Sequence, residues 1–199
     1  MKKLNVILVA MLATLMVSCG TTSNVPITGR QQTLMVSDGE VLSLANQQYQ
    51  EFMKTAKLST NSTNTAMVKR VGQKLATAVN SYLNNNGLSA EVKNFNWEFN
   101  LVQDKQVNAW CMPGGKIVVY EGLLPVTQDE ASLAIVLGHE IAHAVAKHSA
   151  EQLSTKMKQQ QGLQIGSAVA GMLGMGTNTQ AIVQAVVSQG FSFENLSYS

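Results

Sequence analysis

Gly138-His139-Glu140-Ile141-Ala142-His143-Ala144-Val145-Ala146-Lys147-His148 carries every histidine of the 199-residue chain. The first two frame the pattern H-E-x-x-H. On an α-helix, residues four apart lie about 40° apart around the axis, one turn above each other. His139 and His143 can therefore aim two imidazoles at one metal ion. Glu140 lies about 100° round the helix from His139, where it can act on a water without being a ligand. That arrangement implies zinc-dependent peptide hydrolysis, with one Zn2+ per chain. His148 follows His139 by nine residues. On an unbroken helix it would be rotated about 180° from His139 and about 140° from His143, so it reads as a cation at the helix C-terminus.

The flanks support a long helix. Thr127-Gln128-Asp129-Glu130 has the form of a capping box, with Thr127 as N-cap and Glu130 three residues on. Leu133, Ile135, Val136, Leu137, Ile141 and Val145 follow without a proline. A mostly buried helix with His-Glu-x-x-His needs a partner for its polar groups, and a metal ion is a suitable one.

Further upstream, Ser37-Asp38-Gly39-Glu40 is a second capping box, opening a helix with Val41, Leu44, Ala45, Tyr49 and Phe52 at helical spacing. Another amphipathic helix covers about Thr63 to Leu83, and Asn84-Asn85-Asn86-Gly87 stops it. A short strand is expected around Thr33 to Val36. Phe95, Trp97, Phe99 and Leu101 alternate with polar residues, which predicts a strand with one buried face. Asp104-Lys105 reads as its turn. Val107 to Met112 reads as a second strand, Pro113-Gly114-Gly115 as a tight turn and Lys116 to Tyr120 as a third strand. Beyond the histidines, Glu151 to Gln161 is polar and helical. The apolar stretches at 162–176 and 181–187 are too short to span a bilayer and read as a helical hairpin.

The N-terminus reads as a secretion signal. Met1-Lys2-Lys3 is positively charged, and Leu4 to Val17 is apolar but shorter than a spanning helix. It ends at Ser18-Cys19-Gly20, which resembles a lipobox that would make Cys19 the lipidated N-terminus. The expected organisation is a signal peptide at 1–18, a tether at 19–30 and a single domain at 31–199. The chain has 14 Lys and Arg against 12 Asp and Glu, and removal of Lys2 and Lys3 leaves the two equal. That balance argues against nucleic acid as a partner. With Cys19 lipidated, Cys111 has no disulfide partner. It reads as a small buried residue, with zinc ligation or an inhibitory switch as alternatives.

Taken together, Val107-Asn108-Ala109-Trp110-Cys111-Met112-Pro113-Gly114-Gly115, the strand to Tyr120, and Gly138-His139-Glu140-Ile141-Ala142-His143 resemble one family. It is the gluzincin metallopeptidases that include the type I CAAX prenyl protease, HtpX and the OMA-type protease. The branch resembled most is that of soluble periplasmic lipoproteins of the BepA and LoiP kind. The resemblance implies an α+β, zincin-like domain with a small, mainly antiparallel sheet beside a long active-site helix. It implies His139 and His143 as zinc ligands, Glu140 as general base, and peptide substrates paired to a strand edge at Asn108, Ala109 and Trp110. It also implies an envelope location, lipid-anchored at Cys19 and facing the periplasm, with the outer membrane favoured.

The family's third ligand is a Glu in a downstream E-x-E-A-D motif preceded by Ser-Arg, and this sequence has no such motif. Tyr198-Ser199 stands about where the Ser-Arg pair would begin. Glu194 lies in the sequence range of a gluzincin ligand, but its surroundings do not match. No third ligand is carried over, and a C-terminally incomplete chain is the expectation. An inactive fragment or a non-catalytic, chaperone-like lipoprotein that keeps the fold remains the alternative.

Overall fold

Ser37 opens the first long helix as its sequence predicts. Its hydroxyl accepts from the Glu40 N–H, and the Glu40 carboxylate accepts from the Ser37 N–H at 2.8 Å. The helix is α1 (Asp38–Thr55), and it buries Val41, Ala45 and Tyr49. The computed structural model describes residues 21–168 together with Val186. The signal segment, Cys19, Glu194 and most of the expected C-terminal hairpin lie outside the described residues. Before α1, β1 (Thr21–Asn24) pairs antiparallel with β2 (Gln31–Leu34). Part of the expected tether is therefore a strand. Among the described residues no helix is long and apolar enough to cross a membrane.

After α1 come α2 (Ser62–Asn85), capped by the Asn61 side chain, and the short α3 (Ser89–Val92). Three strands follow, β3 (Glu98–Val102), β4 (Ala109–Met112) and β5 (Lys116–Tyr120). Their spatial order is β3-β5-β4. β5 is antiparallel to β4 but parallel to β3, so this sheet is mixed, while the β1–β2 pair is antiparallel as well. Residues 103–108 do not fold β3 back on itself. They carry the chain past it to the far edge, and the turn at 113–115 then inserts β5 in the middle. Gly115 holds φ +81° in that turn, and a Cβ there would meet Trp97 Cε3 at 2.7 Å. Glycine is the residue that tolerates both.

The sheet is covered on both faces, while β3 keeps the alternation its sequence predicts, with Phe99 and Leu101 buried and Glu98 exposed. Phe99, Leu101, Ala109, Cys111, Ile117 and Val119 face one core with α2 and the helix that carries His139 and His143. Val102, Trp110, Met112, Val118 and Tyr120 face the other, shared with α1 and the last helix. Glu98 and Asn100 of β3 are bonded to the Tyr49 hydroxyl on that second side. Gly72 lets α2 approach β3 closely, because a Cβ there would overlap the Phe99 ring at 2.2 Å.

Leu124-Pro125 starts a one-turn helix, α4 (Leu124–Thr127), with proline in its first turn. Thr127 therefore ends a helix and does not cap the next one. Its hydroxyl donates to the Leu124 carbonyl. After Gln128, at φ +64°, Asp129 is the N-cap of α5 (Glu130–Val145), its carboxylate accepting from the Ser132 N–H at 2.7 Å. α5 stops short of the expected length. Ala146 caps it, Lys147 turns to φ +57°, and α6 (His148–Ala168) begins at once.

Candidate metal centre

Helix α5 is amphipathic in a way that sets the site. Leu133, Leu137, Ile141, Ala144 and Val145 are buried against α2 and the sheet. His139 falls on the opposite, open face, and His143 lies one turn on, half-buried. Their Nε2 atoms are 3.0 Å apart and their rings cross at 88°. Two nitrogens bound tetrahedrally to one zinc at about 2.0–2.1 Å stand about 3.3 Å apart. The pair therefore fits zinc with a shift of a few tenths of an ångström. His139 and His143 would hold the ion. Among the described residues no group of three or more His, Cys, Asp or Glu is arranged to hold a metal. Glu194, a candidate for a third position by its place in the sequence alone, lies outside them.

Glu140, between the two histidines in sequence, is buried, close enough to Cys111 of β4 for its charge to be felt there. It is only 6% exposed, and burial pushes its carboxyl up to about 7. A cation held by the neighbouring imidazoles would draw that value down again. Burial is also the main cause that lowers His143, followed by the imidazoles on either side of it, His139 and then His148.

The residues expected to meet substrate separate. Strand β4 is at the edge of the sheet. The Tyr120 N–H donates to the Asn108 carbonyl at 3.0 Å, and Trp110 is paired with Val118. Peptide groups alternate sides along a strand. The groups of Asn108 and Trp110 therefore turn inward to β5, while those of Ala109 and Cys111 turn to the open edge. The Trp110 side chain is 1% exposed in the core remote from α5, where it meets Phe52 edge-on and donates to the Tyr120 hydroxyl at 3.3 Å. Its expected role at the substrate edge is thus corrected, because both its backbone and its indole are occupied elsewhere. Asn108 is half-buried, and its Oδ1 is buried without a hydrogen-bond partner. Cys111 faces α5, close enough to Glu140 to feel its charge.

Two residues of the site were not legible as such. Lys147 adopts a left-handed conformation that sequence gives no reason to expect of lysine. That break turns His148 back onto the site, with its Nδ1 2.6 Å from Nδ1 of His143. The reading of His148 as an outward helix-terminal cation fails for that reason. The i+9 spacing held the signal, but only a broken helix gives it meaning.

The residues that match a known family model run from 62 to 197, and the model is Peptidase family M48. The chain belongs to that family. Mitochondrial metalloendopeptidase OMA1 of Schizosaccharomyces pombe is 50% identical over 58 residues, 29% of this chain and 17% of that protein. Metalloendopeptidase OMA1 of Bos taurus is 31% identical over 132 residues, 65% of this chain and 24% of that one. The beta-barrel assembly-enhancing protease of Yersinia pestis is 31% identical over 106 residues, 46% of this chain and 21% of the relative. The chain thus spans less than a quarter of each of these M48 relatives. The gluzincin resemblance and the α+β architecture both stand with that family.

Proposed function

We propose that this protein is a zinc-dependent endopeptidase acting on proteins of the bacterial cell envelope. The observation that carries the reading is the pair of His139 and His143 Nε2 atoms, 3.0 Å apart on an open helix face. Bound there, zinc would act as a Lewis acid, polarising the scissile carbonyl and making water a better nucleophile. Glu140 takes a proton from the attacking water and delivers it to the leaving amine. Its buried position keeps the carboxylate poorly solvated, which favours proton uptake. The outward peptide groups of Ala109 and Cys111 pair with an extended substrate backbone by strand addition. Ile135, one turn before His139 and 75% exposed, places an apolar side chain on the same open face of α5.

The envelope part of the reading rests on the signal-like N-terminus and on the kind of bacterial relative matched. Cys19 is the proposed lipid anchor, with the protein facing the periplasm and the outer membrane favoured. Mass spectrometry of the mature N-terminus tests this. A diacylated Cys19 is the expected result, and an unmodified Cys19 or cleavage elsewhere would sink it.

The catalytic reading is tested by zinc content and casein hydrolysis. The full-length protein, with a third ligand beside His139 and His143, should take up one zinc and cleave casein. Glu140→Gln should keep the zinc and lose roughly 10²–10⁴-fold in rate. Casein cleavage that survives Glu140→Gln would refute the assignment. A second reading, a non-catalytic binding lipoprotein with the same fold, is favoured by the two-histidine site, in which no third ligand joins the pair among the described residues. Tight zinc uptake without any cleavage would select it.

A further inference from the structure

The geometry points to His148 as a positioning residue for the metal centre, accepting the Nδ1 proton of His143 and so fixing which nitrogen of that ring is free to bind metal. The inference rests on the reading of His139 and His143 as the zinc ligands. The two Nδ1 atoms of His143 and His148 stand 2.6 Å apart, and the rings 4.8 Å apart at 57°. At that distance one nitrogen donates and the other accepts. If His148 donated, a neutral His143 would carry its proton on Nε2, the nitrogen that faces His139. That nitrogen could not then bind a metal. If His143 donates, its Nε2 keeps a lone pair directed at the His139 Nε2, and His148 is the tautomer protonated on Nε2. Only the second arrangement is compatible with ligation by His143. Metal-bound histidines commonly donate their second N–H to an acceptor that holds the ring in place. Here the acceptor is another imidazole.

The backbone is shaped to deliver it. His148 meets His143 because the helix breaks between them. Ala146 and Lys147 alone join the two helices, and Lys147 makes the turn. Its N–H donates to the Ala144 carbonyl at the end of α5, and its carbonyl accepts from the Glu151 N–H in α6. Its ammonium is held 2.8 Å from Asp38 Oδ2 at the start of α1 and 3.0 Å from Glu91 Oε1 in α3. Asn94 in turn donates to Glu91 Oε2 at 3.1 Å. The joint is thus tied to two other elements, and His148 inherits a fixed position from it.

The experiment is zinc affinity of the full chain, measured by competition with a chromogenic chelator, for the unmodified protein, His148→Leu and His148→Asn. Leu and Asn are of similar size, but only Asn keeps an acceptor near the place of Nδ1. His148→Leu should weaken zinc binding about 10–100-fold, and His148→Asn should recover most of the loss. A purely structural role would not follow the acceptor in this way. In parallel, 15N spectra of the unmodified protein with labelled histidine should show the His143 proton on Nδ1 when zinc is bound, which needs no variant to fold. Equal affinity in all three proteins, an Asn variant as weak as the Leu variant, or a His143 proton on Nε2 would each overturn the inference. Failure of the unmodified chain to take up zinc at all would instead overturn the ligand reading beneath it.

Discussion

His139, Glu140 and His143 share one turn and a half of helix but stand in different surroundings, and their variants should fail in different ways. The two imidazoles are the proposed ligands, on the open face, so His139→Ala and His143→Ala should lose zinc and activity together. Glu140 is the proposed base, buried at 6% exposure, so its amide variant should keep the metal. Zinc content by atomic absorption separates the two classes, and equal zinc loss in all three would show Glu140 to be a ligand. Cys111 is a further residue-scale case. Burial pushes its thiol far above the ordinary value, and the Glu140 charge pushes the same way. A thiol that stays protonated is a poor nucleophile and a poor metal ligand. Cys111 should therefore resist alkylation by iodoacetamide in the native protein and react fully in urea. Rapid native labelling would revive the inhibitory switch that the sequence left open.

Elements were legible where their signals are local. The capping box at Ser37 and Glu40 needs only four adjacent residues, and it forms as written. The β5 boundaries and the stop of α2 near Asn85 were equally readable. Strand order was not, because the insertion of β5 between β3 and β4 is decided by which apolar face meets which helix. The break at Lys147 was hidden for a related reason. A left-handed residue other than glycine costs roughly 1–2 kcal/mol, and the carboxylates that offset it come from positions 38 and 91. Two element-scale outcomes follow from the packing. Gly72→Ala must push Phe99 off α2 and should destabilise the protein by about 1–3 kcal/mol in urea unfolding. Ala109→Pro removes an N–H that the sheet does not use, and edge strands tolerate proline. The melting transition should therefore survive, while kcat/KM on casein falls roughly 3–10-fold if that N–H bonds the substrate. Loss of the fold in this variant would mean that the outer edge of β4 is already paired.

At the scale of the whole molecule, two cores share one three-stranded sheet, and ion pairs join the layers at their margins. Arg30 beside β2 is bidentate to Glu151 of α6, at 2.7 and 2.6 Å, and the Met35 N–H donates to the Ser154 hydroxyl at 2.9 Å. The N-terminal hairpin is thereby docked on the helix that starts with His148. Glu98 is bonded to Tyr49, Lys116 and Asn100 between α1 and the sheet. Burial would raise the Glu98 carboxyl, but its bonds to Tyr49, Lys116 and Asn100 together bring it below the usual range. The Arg30 hydrogen bonds hold Glu151 down, and the Ser37 cap does the same for Glu40. Carboxyls whose folded values are depressed stabilise the fold above their unfolded values, and that contribution is lost as pH falls through the folded ones. The contribution of these three carboxyls should therefore hold as acid is added down to about pH 4.5 and fall away steeply below it, while Glu140, raised by burial, works in the opposite sense between its folded and unfolded values. Arg30→Ala frees Glu151 to titrate near its unfolded value, so the variant should lose a smaller share of its stability on acidification. Urea midpoints of both proteins between pH 3 and 7 provide the measurement. A midpoint that rises below pH 4, or an identical acid limb in the two proteins, would show that these pairs do not govern the response to acid.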